Sequence, residues 1–319
     1  MIISRTLRFS HIVVYAWKEM LYFTALSCSV YALHALFDIH ALTIPFNAVA
    51  TLSTALGVYL AFKNNNAYDR WWEARQIWGL LVNYSRGFAR QVLTLAISDD
   101  PSAQGELRSW QEGVIYRHIA FVHALRVFLR RKFEYNDDGV DEPIEVRNSY
   151  DDLRSFLSAE EHAEVIAKRN PPNYLNQLQG EALAEGYRRG WLSDFRHLRL
   201  EESLLEFNNH QGRAERIKNT PLPRPYSFYS RVFVLIHGTM VPFAFIEELT
   251  WVNIPLSITI NFVFFALDQI GEKIEDPFEN RMFDVPLTAL SVGIEENLKE
   301  MLRERDLPVR PKPIQGVVL

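Results

Sequence analysis

With 319 residues and a single cysteine, Cys28, the chain has room for one large or two ordinary domains, but not for an intrachain disulfide framework or a cysteine zinc cluster. Its net charge of −5, with bases spread among acids, excludes the electrostatic footprint of a nucleic-acid binder, so no nucleic-acid partner is expected. The mean hydropathy of −0.10 hides a segregated chain, 48% apolar and 13% aromatic, in which the placement of apolar residues carries the information.

The first twenty residues, MIISRTLRFSHIVVYAWKEM, do not read as a secretory signal, because their apolar run is short and broken and no small-residue cleavage site follows. Residues 20–37 then run for about 18 residues without Asp, Glu, Lys or Arg, and residues 41–62 for about 22. As a helix the second run reaches roughly 33 Å, the thickness of a hydrocarbon core. Two further runs, residues 232–246 and 249–267, are about 15 and 19 residues long, the former extendable towards Tyr226. One such run alone could be a buried core helix; four, paired at either end of the chain, predict four membrane spans.

The flanking charges agree on a topology. Arg5, Arg8 and Lys18 precede the first run, Lys63, Arg70 and Arg75 follow the second, Arg213, Arg216, Lys218, Arg224 and Arg231 precede the third, and Lys273 and Arg281 follow the fourth. The links DIHA and Glu247-Glu248 carry no Lys or Arg. By the positive-inside rule, both termini and the long middle are cytoplasmic and the two links face outward, which predicts a multi-pass protein of the cell (inner) membrane.

After the second run, DRWWEARQIWGLLVNYSRGFARQVL keeps helical spacing without a proline, so Trp71 and Trp72 read as part of the same helix continuing into the cytoplasm. The stretch VIYRHIAFVHALRVFLRRKFE is amphipathic, with Arg117 and Arg126 leaving too short an apolar run to span. EYNDDGVDEPIEVRNSYDD reads as a polar loop. Ser158 with Glu161 three residues on predicts a capped helix, which Pro171-Pro172 would end, and a long helix is predicted over residues 175–209. The tail after Leu307 is proline-rich and expected to be extended. This divides the chain into residues 1–75 (N-terminal helices and first two spans), 76–220 (cytosolic helices), 221–270 (third and fourth spans) and 271–319 (cytosolic C-terminal segment and tail).

No enzyme motif is present: there is no Gly-rich phosphate loop and no G-x-S-x-G. His118 and His123 are five apart and so do not share a helix face as a metal pair would. NDDGVDE has acids and a glycine without calcium-loop spacing. Glu201, Glu202 and Glu206 read as an exposed helix face. No metal and no cofactor is expected.

The informative pattern lies in the second run. Thr54, Val58 and Phe62 fall at i, i+4 and i+8 on one helix face; Ser53, Gly57 and Ala61 repeat that spacing on the adjacent face as a small-xxx-small ladder, which lets membrane helices approach closely. Two readings are open: packing within one bundle, or a ring of identical helices with the first set facing a shared axis. Four spans hold too little helix to enclose a polar path, so a pore needs several subunits. Pro242, Asn253, Pro255 and Asn261 within the last two runs fit packed or broken helices whose polar groups face protein or water rather than lipid.

Three motifs resemble the bacterial bestrophins: AFKNNNAYDRWWEAR after the second run, RIKNTPLPRPY before the third, and IEDPFENRMFDVPL with IEENLKEML near the C-terminus. Together with the four-run layout the resemblance covers nearly the whole chain, the region from Asn136 to about Gly190 excepted. It implies an all-α subunit with four transmembrane helices and a helical cytosolic region, assembled as a homopentamer in the lipid bilayer around one axial pathway for small monovalent ions. Eukaryotic members of the family pass chloride-like anions; bacterial relatives can favour cations. The resemblance further implies a narrow neck lined by Thr54, Val58 and Phe62, with Thr54 departing from the family's apolar pattern, and a cytosolic aperture at Leu222. Where eukaryotic members hold calcium with a dense run of acids, this chain reads Glu279, Asn280, Arg281, Met282, Phe283, Asp284, so calcium gating is not expected.

Overall fold

A computed structural model describes residues 9–37, 43–131 and 149–313. The DIHA link and the NDDGVDE loop lie outside the described residues. Among those described, the fold is all-α without strands: α1 (Phe9–Phe37), α2 (Phe46–Leu95), α3 (Gln104–Leu129), α4 (Ala159–Ile166), α5 (Pro171–Arg188), α6 (Asp194–Asn219), α7 (Arg224–Leu249), α8 (Asn253–Ile274) and α9 (Leu287–Met301). The chain divides into two compact units, one holding residues 72–220 and 277–319, the other residues 4–71 and 221–276.

The second of these, the four-helix unit, gathers α1, the first part of α2, α7 and α8, the helices that contain the four charge-free runs. Among the described residues two stretches are long and apolar enough to cross a membrane: Ala16–Phe37, and Pro225–Ile274, which folds into α7 and α8. A small core of Ala16, Leu56, Leu60, Val234 and Phe265 joins all four helices. Gly238 sets the closeness of the packing: a Cβ there would fall on the Phe23 ring of α1 and 3.0 Å from the Asn261 amide oxygen of α8. Pro242 inside α7 has no N–H for the Gly238 carbonyl, and the Asn261 side chain donates to that carbonyl instead, at 3.1 Å. Asn253 donates to the Pro242 carbonyl at 2.8 Å and accepts from Ser257 at 2.8 Å. The asparagines and Ser257 are buried, each with a protein partner, which is what backbone and side-chain polar groups require where water is absent.

The larger unit is built on the rest of α2. Its buried positions, Ala74, Trp78, Leu81, Ser85, Phe88 and Val92, recur every three or four residues and form one stripe. Helix α3 is held between α5, α6 and α9. The expectation of an amphipathic helix over residues 114–134 needs correction, because α3 is buried on every side from His118 to its end. Its polar side chains are accommodated one by one: Arg126 pairs with Asp152 at 2.8 Å, Arg130 donates to Thr288 at 2.5 Å, and Gln111 donates to the carbonyls of Val92 and Ala96 at 3.2 Å.

Two more expectations change. The helix predicted over 175–209 is two helices, α5 and α6, separated at Gly190, whose φ of +74° suits glycine and turns the chain. Trp191 then packs on Trp110 at 5.7 Å. Pro171 opens α5 rather than ending α4, which stops at Ile166; a proline at the first helical turn lacks only an N–H that would be unbonded anyway. Ser158 does cap α4, accepting from the Glu161 amide at 3.1 Å. The described part of the tail has no regular secondary structure, and its Arg310 pairs with Glu296 of α9; just before it, Arg108 of α3 donates to the Leu302 carbonyl at 2.8 Å and Tyr116 to Glu304 at 2.7 Å.

Candidate functional site

Within the four-helix unit, α2 has two opposite faces. Leu56 and Leu60 are buried at 4% and 0% exposure against α1, α7 and α8, whereas Val58 and Phe62 stand 53% and 61% exposed on the chain. Thr54 is exposed on the same side, its hydroxyl donating to the Ala50 carbonyl at 3.0 Å. That bond leaves the methyl group as the part of Thr54 without a hydrogen-bonding role. Thr54, Val58 and Phe62 therefore form one outward stripe.

The ladder residues are not brought together in the same way. Ser53 is half-buried, and its hydroxyl lies 2.6 Å from His237 Nε2 of α7, so it packs inside its own chain. Gly57 has no neighbour within 4 Å of the place a Cβ would take, and Ala61 is exposed. Leu222 is half-buried between Pro221 and Pro223 in the short segment that leads into α7.

One group of residues escaped sequence reasoning. Lys63, read there as a charged flank where the second span ends, is fully buried. Its ammonium is 2.7 Å from Asp268 Oδ1 of α8 and 2.9 Å from Ser230 Oγ of α7. Ser230 Oγ in turn lies 2.7 Å from Asp268 Oδ1. All three side chains are at most 1% exposed. The signal available in the sequence was a lone base and a lone acid at the same end of two spans; nothing local pairs residues 205 positions apart.

In the larger unit the histidines have separate partners. His118 meets Ser85 at 2.8 Å and His123 meets Glu295 at 3.0 Å. Burial drives the His118 imidazole down to about 3, so it is neutral at physiological pH. After the Pro277-Phe278 element, Glu279 binds Lys218 at 2.5 Å and the Asp284 carboxylate accepts from the Arg281 amide at 3.1 Å. Burial pushes the Asp284 carboxyl up to about 7, against the opposing pull of the Arg281 amide and charge. Among the described residues no group of three His, Cys, Asp or Glu side chains could hold a metal ion.

The sequence pattern described as "Bacterial/Fungal Bestrophin protein" matches residues 3–300. The voltage-dependent anion channel-forming protein YneE of Salmonella typhi is 34% identical over 262 residues, 82% of this chain and 78% of that protein. The voltage-dependent anion channel-forming protein RSc3414 of Ralstonia nicotianae is 32% identical over 83% of this chain and 79% of its own length. A crystal structure of a bacterial bestrophin homologue from Klebsiella pneumoniae superposes with a TM-score of 0.77 at 25% identity, covering 90% of this chain and 98% of that one.

Proposed function

The chain belongs to the bacterial and fungal bestrophin family, and from that premise we propose that it forms a pentameric membrane channel for small monovalent ions, with α2 of each copy lining a shared axis. The observation that carries this reading is the outward stripe: Val58 and Phe62 are more than half exposed on a helix whose opposite face is fully packed. An apolar stripe on a structured helix needs a covering, and a five-fold ring of copies supplies one. In that ring Thr54, Val58 and Phe62 form the neck, narrow and dry, where an ion must shed hydration with little in return. Leu222, held between two prolines, forms the aperture on the cytosolic side. Ala61 and Gly57, open on the chain, meet the neighbouring copy, while Ser53 anchors α2 to its own α7.

The exposed aromatic and aliphatic side chains of α1, α7 and α8, among them Trp17, Leu36, Phe233 and Val263, face lipid, and the larger unit and both termini are cytoplasmic. Channel-forming is what the relatives' names state of those proteins; here it is the reading tested. Purified protein in liposomes is assayed with anion and cation gradients separately. Wild type passes ions of at least one class, and Val58→Ala/Phe62→Ala raises the flux with near-normal melting. Loss of assembly without gain of flux would return these residues to bundle packing, and absence of any wild-type flux would favour a non-conducting scaffold.

A further inference from the structure

We infer that Lys63, held by Asp268 and Ser230, is the positioning residue of the neck: it fixes the rotation of α2 and thereby how far the Phe62 ring stands from the axis. This rests on the neck reading given above. Lys63 directly follows Phe62, about 100° further round the helix. Where Phe62 is 61% exposed, the Lys63 side chain is 1% exposed and turned into the bundle. Its ammonium, Ser230 Oγ and Asp268 Oδ1 lie 2.7 to 2.9 Å from one another, so one closed set of hydrogen bonds ties α2 to α7 and α8.

Packing alone does not call for a charge at this place. Leu60 before it and Ala67 after it lie on the same buried stripe, are apolar and are fully buried. A buried ion pair holds a fold no better than a well-packed apolar pair; what it adds is direction, because each partner must meet the other or be left charged in a dry place. The contacts next to it fix α2 in the same sense. Asn64 donates to the Leu267 carbonyl at 2.9 Å, and Gly271 leaves the space that the Asn64 amide oxygen occupies, since a Cβ there would fall on it. Tyr59 donates to the Tyr226 carbonyl at 3.1 Å. Phe62 thus sits among residues 59, 63 and 64, each bound to a neighbouring helix, while it is itself unbound. The lever is large: with a ring tip about 6 Å from the helix axis, a rotation of about 20° moves it by about 2 Å. A change of that size decides whether a narrow apolar ring admits water.

The test uses the full-length channel in liposomes. Lys63→Met/Asp268→Asn removes both charges at similar volume and so leaves no orphan ion. The expected result is the wild-type oligomer with flux raised about threefold or more as the ring loses its aim. In a Phe62→Ala background the same double change adds nothing, because the ring it positions is gone; a purely structural role would give an additive effect. Wild-type flux in the double variant, with altered flux in Phe62→Ala, overturns the inference while leaving the neck intact. Unchanged flux in Phe62→Ala itself removes the neck reading, and the inference falls with it. If the double variant does not assemble, Asp268→Asn, which keeps shape and acceptor but not charge, is read instead: raised flux supports the inference and wild-type flux overturns it.

Discussion

The two units of this chain both mix apolar and polar side chains in their interiors, and they differ most in what they expose. In the larger unit the apolar side chains Trp78, Phe88, Ile115 and Phe207 are fully buried beside individually paired polar ones such as Arg126 and Gln111, and much of the surface is laced with ion pairs such as Arg199–Glu202 and Arg189–Glu185. In the four-helix unit the exposed surface carries Leu21, Leu36, Phe228 and Val263, while Lys63, Ser230, Asn253, Asn261 and Asp268 are buried. The surroundings proposed for each unit, water for the larger and lipid for the four-helix one, account for the difference. Water rewards burial of apolar groups and competes for polar ones; lipid does neither, so helices there associate through close approach and through polar groups that find each other.

The sharpest way to break this comparison is to delete a ring from the larger unit. Phe88 is fully buried and touches the rings of Phe207 at 5.5 Å and His118 at 5.3 Å. Phe88→Ala should cost about 3–5 kcal/mol, read as a lowered melting temperature of the detergent-solubilised protein. A loss under about 1 kcal/mol would mean that this interior is not held by apolar packing.

The next effect in size is electrostatic and also lies in the larger unit. In the unfolded chain Asp284 titrates near 3.8, and in the fold near 7. Between those values the folded state binds the extra proton, so stability falls as pH rises from 3.8 to about 7 and levels off above. Asp284→Asn keeps the acceptor for the Arg281 amide and removes the charge. It should flatten that dependence and stabilise the protein at pH 8, by an amount on the order of a few kcal/mol. An unchanged pH profile of melting would show that the carboxyl has another route to water.

How far the sequence could be read follows the same division. The all-α class and the long second helix were legible because charge-free runs and unbroken helical spacing are local signals. The stripe of Thr54, Val58 and Phe62 was legible because a helix repeats every 3.6 residues. Contacts across the chain were not. Ser53 looked like one rung of a ladder, but its partner, His237, is 184 residues away. Lys63 looked like a flank because its acid lies on another helix. The break at Gly190 was missed because glycine alone does not separate a helix interior from a turn, and only the positive φ settles it. Arg117 and Arg126 implied a wet face on α3 because the groups that satisfy them, Glu161 and Asp152, come from later in the chain.

The smallest predicted effect separates the two surroundings most cleanly, because it removes the same group from each. Asn261 of α8 and Asn176 of α5 are both buried, and each donates its amide to a helix carbonyl, at Gly238 and Leu204 respectively, both at 3.1 Å. The carbonyls differ. Leu204 lies four residues before Asn208, inside α6, and keeps its bond within the helix when Asn176 is lost. Gly238 lies four residues before Pro242, which has no N–H to give, so Asn261 takes the place of the missing helix bond. Water can reach the site of Asn176, which retains 7% exposure, whereas Asn261 is 1% exposed in a unit faced with apolar side chains. Asn261→Ala should therefore cost about 1–3 kcal/mol, the penalty of an orphaned buried carbonyl, and Asn176→Ala under about 1 kcal/mol. Equal losses in the two variants, measured by melting in the same detergent, would mean that the Gly238 carbonyl finds another donor and that its bond to Asn261 is not what holds α7 to α8.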